Sequence, residues 1–245
     1  MRPAQPWRLE PTLRYFATLF FALAASGFAV HALARLSGAD PTHPPAWQLA
    51  SATGILHVAG ILALIPLLRI HDSGWRDGFG LGTGGWPRTG IVALVLTLPA
   101  FAVVWGVHQS VSFVLDALGH PPDPQVAVDA VRTASNAWER GLLFLFAVGT
   151  APVFEEFVFR GILWPMLRDR GFRVAGCLMA SFVFALIHFN LAAFVPLWLL
   201  GIFWTWLYER TGDLAAPMLS HTLFNATNFI WILALDPTTA NAAPP

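Results

Sequence analysis

Two glutamates stand side by side, Glu155 and Glu156, within the run Gly149-Thr150-Ala151-Pro152-Val153-Phe154-Glu155-Glu156-Phe157-Val158-Phe159-Arg160-Gly161. Each ionisable residue costs about 2.5–3.5 kcal/mol at the centre of a membrane helix on insertion scales, so a cluster of three in an apolar run points to function. Helical spacing separates their roles. Glu156 and Arg160 are four apart on one face, with the acid N-terminal to the base, the favourable order for an ion pair. Glu155 is turned by about 100° from Glu156, because a helix has 3.6 residues per turn, and it has no local partner. Glu156–Arg160 therefore reads as an orienting pair, and Glu155 as the acid free for chemistry.

Downstream, His188 closes the run Ser181-Phe182-Val183-Phe184-Ala185-Leu186-Ile187-His188, and His221-Thr222-Leu223-Phe224-Asn225 sets a histidine and an asparagine four apart on one face. Singly these are ordinary, since polar residues also tie membrane helices together. With Glu155 they supply a general base and hydrogen-bond donors for a developing oxyanion, the equipment of hydrolysis by an activated water. The other histidines are less committed: His31, His57 and His108 fall in apolar runs without an acidic partner nearby, and His43, His71 and His120 fall in connecting segments.

The elements that must carry these residues are membrane helices. Of the 245 residues, 56% are apolar and 11% charged, against about 25% charged in a soluble domain. Net charge is zero, which gives no hint of nucleic-acid binding. There is no lysine, a bias that fits a bacterial source, and the single cysteine, Cys177, cannot form an internal disulfide. A crossing of about 30 Å needs about 20 mostly apolar residues. Seven stretches qualify: Tyr15 to Ala34, Trp47 to Leu68, Ile91 to Leu118, Gly141 to Trp164, Val174 to Phe189, Leu191 to Tyr208 and Leu214 to Leu235. The fifth and sixth are short and nearly contiguous, so Asn190 marks a tight turn. The first is longer than a signal-peptide core and is expected to be an uncleaved anchor.

The expected fold class is an all-α, polytopic transmembrane helical bundle of about seven spans with its active site within the membrane. With the N-terminus cytoplasmic, ten arginines fall on inner segments and Arg35, Arg132 and Arg140 on outer ones, the asymmetry of the positive-inside rule. Residues 1–140 form a three-span region, with a Gly- and aromatic-rich interfacial loop at 72–90 and an outer loop at 119–140 that holds a short helix or lid. Residues 141–235 form a four-span region with the candidate site. The Pro/Ala/Thr-rich tail, 236–245, is expected to be disordered. By helical rise Glu155 lies about 13 Å and His221 about 10 Å from the inner ends of their spans, and His188 about 21 Å, or about 16 Å if its span starts near Cys177.

Glu155-Glu156-x-x-x-Arg160, Phe184-x-x-x-His188 and His221-x-x-x-Asn225 resemble the three motifs of the CPBP family, the CAAX-processing and bacteriocin-processing intramembrane peptidases, also called type II CAAX prenyl endopeptidases or Abi proteins. Ala151-Pro152 before the acids, Phe159-Arg160-Gly161 after them, and the stretch from Gly201 to Asp213 leading to Pro217 and His221 extend the resemblance over about Gly141 to Asn228. It implies an intramembrane endopeptidase acting on a membrane-associated or C-terminal segment. Glu155 and His188 would activate water, His221 and Asn225 would stabilise the oxyanion, and Glu156 and Arg160 would support the site. It leaves two routes open, one without metal and one with a divalent ion such as zinc on Glu155, His188 and His221; the His-Glu-x-x-His zinc motif is absent. The expected partners are a peptide or protein substrate in the membrane and the bilayer itself, with no nucleic acid. The expected location is a bacterial cytoplasmic membrane. A non-catalytic scaffold or bacteriocin-immunity protein of the same family is the first rival reading. An ion-coupled transporter is the remote one, since it predicts repeated halves and no internal repeat is visible.

Overall fold

The structure, a computed structural model, describes residues 7–38, 46–134 and 136–235. Among them every regular element is helical and there is no strand, so the chain is an all-α polytopic membrane bundle. The helices are α1 (Leu9–Leu36), α2 (Ala46–Leu62), α3 (Leu64–Ile70), α4 (Trp75–Phe79), α5 (Trp86–Ala117), α6 (Val126–Thr133), α7 (Ala137–Phe144), α8 (Ala151–Glu156), α9 (Trp164–Arg168), α10 (Arg173–Leu186), α11 (Leu191–Thr211) and α12 (Ala215–Leu235). The expected disordered tail, 236–245, lies outside the described residues, as do Arg2 and His43.

Five stretches are long and apolar enough to cross a bilayer: Leu9–Leu36, Trp47–Ile70, Trp86–Ala117, Ala137–Arg168 and Leu191–Thr211. They coincide with the first four and the sixth of the expected seven. The other two are helices of a different character. α10 has 14 residues, or about 21 Å of rise, short of a full crossing. α12 is 21 residues long, and Ser220, His221, Asn225 and Asn228 dilute its apolarity. The 72–90 stretch also differs from a simple interfacial loop. It folds into α4, a run of glycines, and the first turn of α5, which begins at Trp86.

The chain forms two compact units, the first holding Trp7, Gly74–Val126 and Glu155–Phe224, the second Arg8–Ser73, Ala127–Phe154 and the chain from Asn225. In the first, α10 and α11 approach so closely that a Cβ on Gly201 would lie 2.7 Å from the Cβ of Ser181. Small residues at such crossings are how membrane helices gain packing without a hydrophobic drive. A buried carboxylate pins the glycine run. Asp213 accepts hydrogen bonds from the amides of Gly82 (3.1 Å) and Gly84 (3.4 Å) and from the Thr89 hydroxyl (3.1 Å), while also accepting from the Ala215 amide (3.0 Å) at the start of α12. Gly82, with φ +73°, adopts a backbone only glycine holds without strain. The Phe79 carbonyl accepts from the Tyr208 hydroxyl and the Leu214 amide, each at 3.2 Å.

In the second unit Ala50, Ala130, Val131, Ala134, Leu143, Val148, Phe229 and Ile232 form a buried cluster. α6 supplies Ala130 and Val131, and Ala134 directly follows it, so the expected short helix of the outer loop is present. Tyr15 donates to the Gly60 carbonyl (3.3 Å) and Ser26 to that of Ala52 (3.2 Å), joining α1 to α2. The remaining face of α1 exposes Phe20, Phe21 and Phe28, a surface matched to lipid tails.

Candidate active site

The glutamates sit at the end of α8, between two π-helical turns, Leu145–Thr150 and Phe157–Leu163. Prolines shape this segment. In the first wide turn the Ala151 amide reaches back five residues to the Phe146 carbonyl. The Ala147 carbonyl thereby loses its usual donor four residues on, and five residues on stands Pro152, which has no N–H. The Asn225 side-chain amide fills the gap, donating to Ala147 at 2.8 Å. In the second turn the Trp164 amide reaches Phe159. Gly161 has Pro165 four residues ahead, and its carbonyl accepts from the Trp7 indole N–H instead, at 2.9 Å. Buried backbone groups are almost always paired, and here side chains from distant parts of the sequence supply the partner.

Arg160 and Glu156 form the expected i,i+4 pair, Nη1 to Oε1 at 2.9 Å, with side chains 1% and 0% exposed. The guanidinium also donates from Nη2 to the Gly201 carbonyl (3.0 Å) and lies over the rings of Phe184 (4.7 Å) and Trp204 (5.3 Å). The same Glu156 Oε1 is 3.0 Å from His221 Nδ1. An ionised carboxylate only accepts, so Nδ1 carries the proton. The opposite nitrogen, Nε2, faces Glu155 Oε2 at 3.7 Å, too far for a direct hydrogen bond. Glu155 makes no hydrogen bond among the described residues, and its side chain retains 18% exposure. One imidazole thus stands between two carboxylates, fixed by one and open toward the other.

His188 does not sit on its helix. The fifth span was expected to run from Val174 to Phe189, but α10 ends at Leu186 and His188 lies in the following turn. Phe189 takes a left-handed φ of +47°, which ends the helix, and Asn190 restarts it by accepting from the Ala193 amide at 2.9 Å. His188 Nδ1 lies 2.7 Å from the Phe184 carbonyl. A carbonyl only accepts, so Nδ1 is the protonated nitrogen and Nε2 keeps a lone pair. The Phe184 ring contacts both histidines, at 4.9 Å from His188 and 6.0 Å from His221.

The structure therefore joins Glu156, Arg160 and His221 into one bonded group, with Glu155 facing its imidazole at 3.7 Å. His188 borders it through Phe184, while the Asn225 amide holds the Ala147 carbonyl. Among the described residues no group of three or more His, Cys, Asp and Glu side chains gathers to hold a metal ion. Glu155, His188 and His221 thus do not gather as a ligand set among the described residues. Sequence reasoning missed Trp204, stacked on His221 at 3.8 Å and 20°, along with Trp7 and Asp213. Apart from the Ala215 amide on Asp213, these partners lie 16 to 154 positions away, and only a buried aromatic or acid in an otherwise apolar run could have drawn attention to them.

Residues 137–227 match the family model described as type II CAAX prenyl endopeptidase Rce1-like. The protein named "Putative membrane peptidase YdiL" from Bacillus subtilis (strain 168) is 25% identical over 179 residues, covering 72% of this chain. The chain spans 66% of that relative's length. No solved structure matches.

Proposed function

We propose, for a chain whose residues 137–227 match the type II CAAX prenyl endopeptidase Rce1-like family model, that this integral membrane protein is a peptidase that cuts a peptide bond in a membrane-associated or C-terminal segment, with Glu155 as general base. The observation that carries the proposal is the open carboxylate of Glu155, 3.7 Å from the nitrogen of an imidazole whose other nitrogen is already fixed. Groups that far apart make no direct hydrogen bond with each other, so both remain available to a shared water.

In this reading the water oxygen attacks the substrate carbonyl carbon as its proton passes to Glu155. His188 Nε2 accepts a hydrogen bond from the second water hydrogen, which stays on the attacking oxygen. The carbonyl oxygen becomes an oxyanion, met by His221 Nε2–H, with Asn225 as the second donor that the motif resemblance implies. His221 can donate from Nε2 only when both ring nitrogens carry protons, and Glu156 beside Nδ1 stabilises that cation, with Arg160 holding Glu156 in place. The carbon–nitrogen bond then breaks and the leaving amine takes the proton from Glu155. The arginine asymmetry orients the N-terminus to the cytoplasmic side of a bacterial membrane.

The test uses purified protein in liposomes and two internally quenched probes, a prenylated CAAX peptide and a single-span apolar peptide. Glu155→Gln is expected to lower kcat by about 100-fold or more, the scale of removing a general base, with His188→Ala close behind. Cleavage of neither probe by the wild type, or wild-type rates from Glu155→Gln, overturns the proposal.

A further inference from the structure

A polar chain that begins outside residues 137–227 runs up to the face of the His221 ring. Trp204 lies face-on against the imidazole, centroids 3.8 Å apart and planes 20° apart. A face contact leaves both ring nitrogens free along their edges, and those edges point at Glu156 and Glu155. Trp204 is itself locked: its indole N–H donates to Ser220 Oγ at 3.0 Å. Ser220 Oγ lies 2.7 Å from Thr97 Oγ1, which lies 2.6 Å from the Ala93 carbonyl.

The proton assignment along this chain has one solution. The Ala93 carbonyl only accepts, so the Thr97 proton goes there. The Ser220 proton then goes to Thr97, and the indole proton to Ser220. Each donor is used once, and the chain ends on the backbone of α5. Thr97, Trp204 and Ser220 are all buried, in apolar surroundings where an unpaired donor is strongly disfavoured. Ser220 is also the residue before His221, so the same hydroxyl that fixes the covering indole is fixed to the histidine's own backbone.

We infer that Trp204, oriented through Ser220 and Thr97, is a positioning residue that holds His221 in the one ring orientation offering Nδ1 to Glu156 and Nε2 to Glu155. Its catalytic consequence rests on the peptidase reading above; its structural consequence does not. α5 thus takes part in the site through Thr97, although residues 137–227 carry every motif.

The test reads the ring directly. Uniformly 15N-histidine-labelled protein in micelles, held at a pH where the ring is neutral and with the His221 signals identified by their absence in His221→Gln, is expected to show a single Nδ1–H tautomer. Trp204→Leu is expected to show both tautomers, and Trp204→Phe to keep one. Thr97→Val gives a milder perturbation that leaves the indole in place; it is expected to mix the tautomers, with Thr97→Ser restoring the single form. In the cleavage assay Trp204→Leu is expected to lower kcat by about 100-fold with KM unchanged, as for a misplaced catalytic group. A folded Trp204→Leu or Thr97→Val protein that keeps the single tautomer overturns the inference, whatever its cleavage rate. A wild type that cleaves neither probe but shows the tautomer shift overturns the peptidase reading and leaves the positioning role standing.

Discussion

Replacing Arg160 with methionine keeps much of the aliphatic stem and removes the guanidinium. Four interactions go with it: the 2.9 Å pair with Glu156, the 3.0 Å bond to the Gly201 carbonyl, and the contacts over Phe184 and Trp204. Were the pair at a surface the loss would be about 0–1 kcal/mol. With the partners 1% and 0% exposed, the relevant scale is that of stranding a buried charge, about 3–5 kcal/mol. Two features favour the lower end. Gly201 keeps a donor in the Thr205 hydroxyl at 2.9 Å, and Glu156 keeps His221. We expect about 3 kcal/mol, measured by reversible SDS unfolding in mixed micelles with circular dichroism. The cycle sharpens it. In Glu156→Gln/Arg160→Met no carboxylate is stranded and His221 still has an acceptor, so the double variant should be more stable than Arg160→Met alone. A loss below about 1 kcal/mol, or a double variant no more stable than the single, would refute the argument that the pair acts as a buried unit.

Two further substitutions probe the frame around the site. Gly201→Ala would put a Cβ 2.7 Å from the Ser181 Cβ and 3.0 Å from its Cα, so α10 and α11 must part; the expected loss is about 1–3 kcal/mol. Adding Ser181→Gly should recover part of it in the same unfolding assay, and no recovery would place the strain elsewhere. Asp213→Ala leaves the amides of Gly82, Gly84 and Ala215 and the Thr89 hydroxyl without their acceptor. At about 1 kcal/mol for each net hydrogen bond the loss approaches 3 kcal/mol, and trypsin should cut faster at Arg76 and Arg88, which flank the released glycines.

What could be read from sequence was local. The Glu156–Arg160 pair follows from spacing within one helix, and the turn at Asn190 follows from the junction of two apolar runs. Glu155 as the unpaired acid followed from the same geometry. His188 was misplaced because Leu186-Ile187-His188-Phe189 is as apolar as the helix before it, and a left-handed residue without a glycine leaves no compositional mark. The second partner of Glu156 was hidden for another reason: His221 lies 65 positions away, and periodicity says nothing about which face meets which. Asp213 was equally silent. Its role depends on three backbone amides, and backbone amides have no letter in the sequence.

The two wide turns around Ala151–Glu156 have a consequence for comparing this chain with its relatives. A π turn is an α-helix with one residue inserted. The direction in which Glu155 and Glu156 point is therefore a matter of counting: removing one residue from Leu145–Thr150 would swing both carboxylates by about 100° while leaving the helix continuous. A relative lacking either insertion would align with this helix only through a single-position gap inside an apolar stretch, where substitution scores are nearly flat. An ungapped match across residues 145–163 would then assign the acids' work to neighbouring residues, and the prolines at 152 and 165 are the landmarks that keep the count.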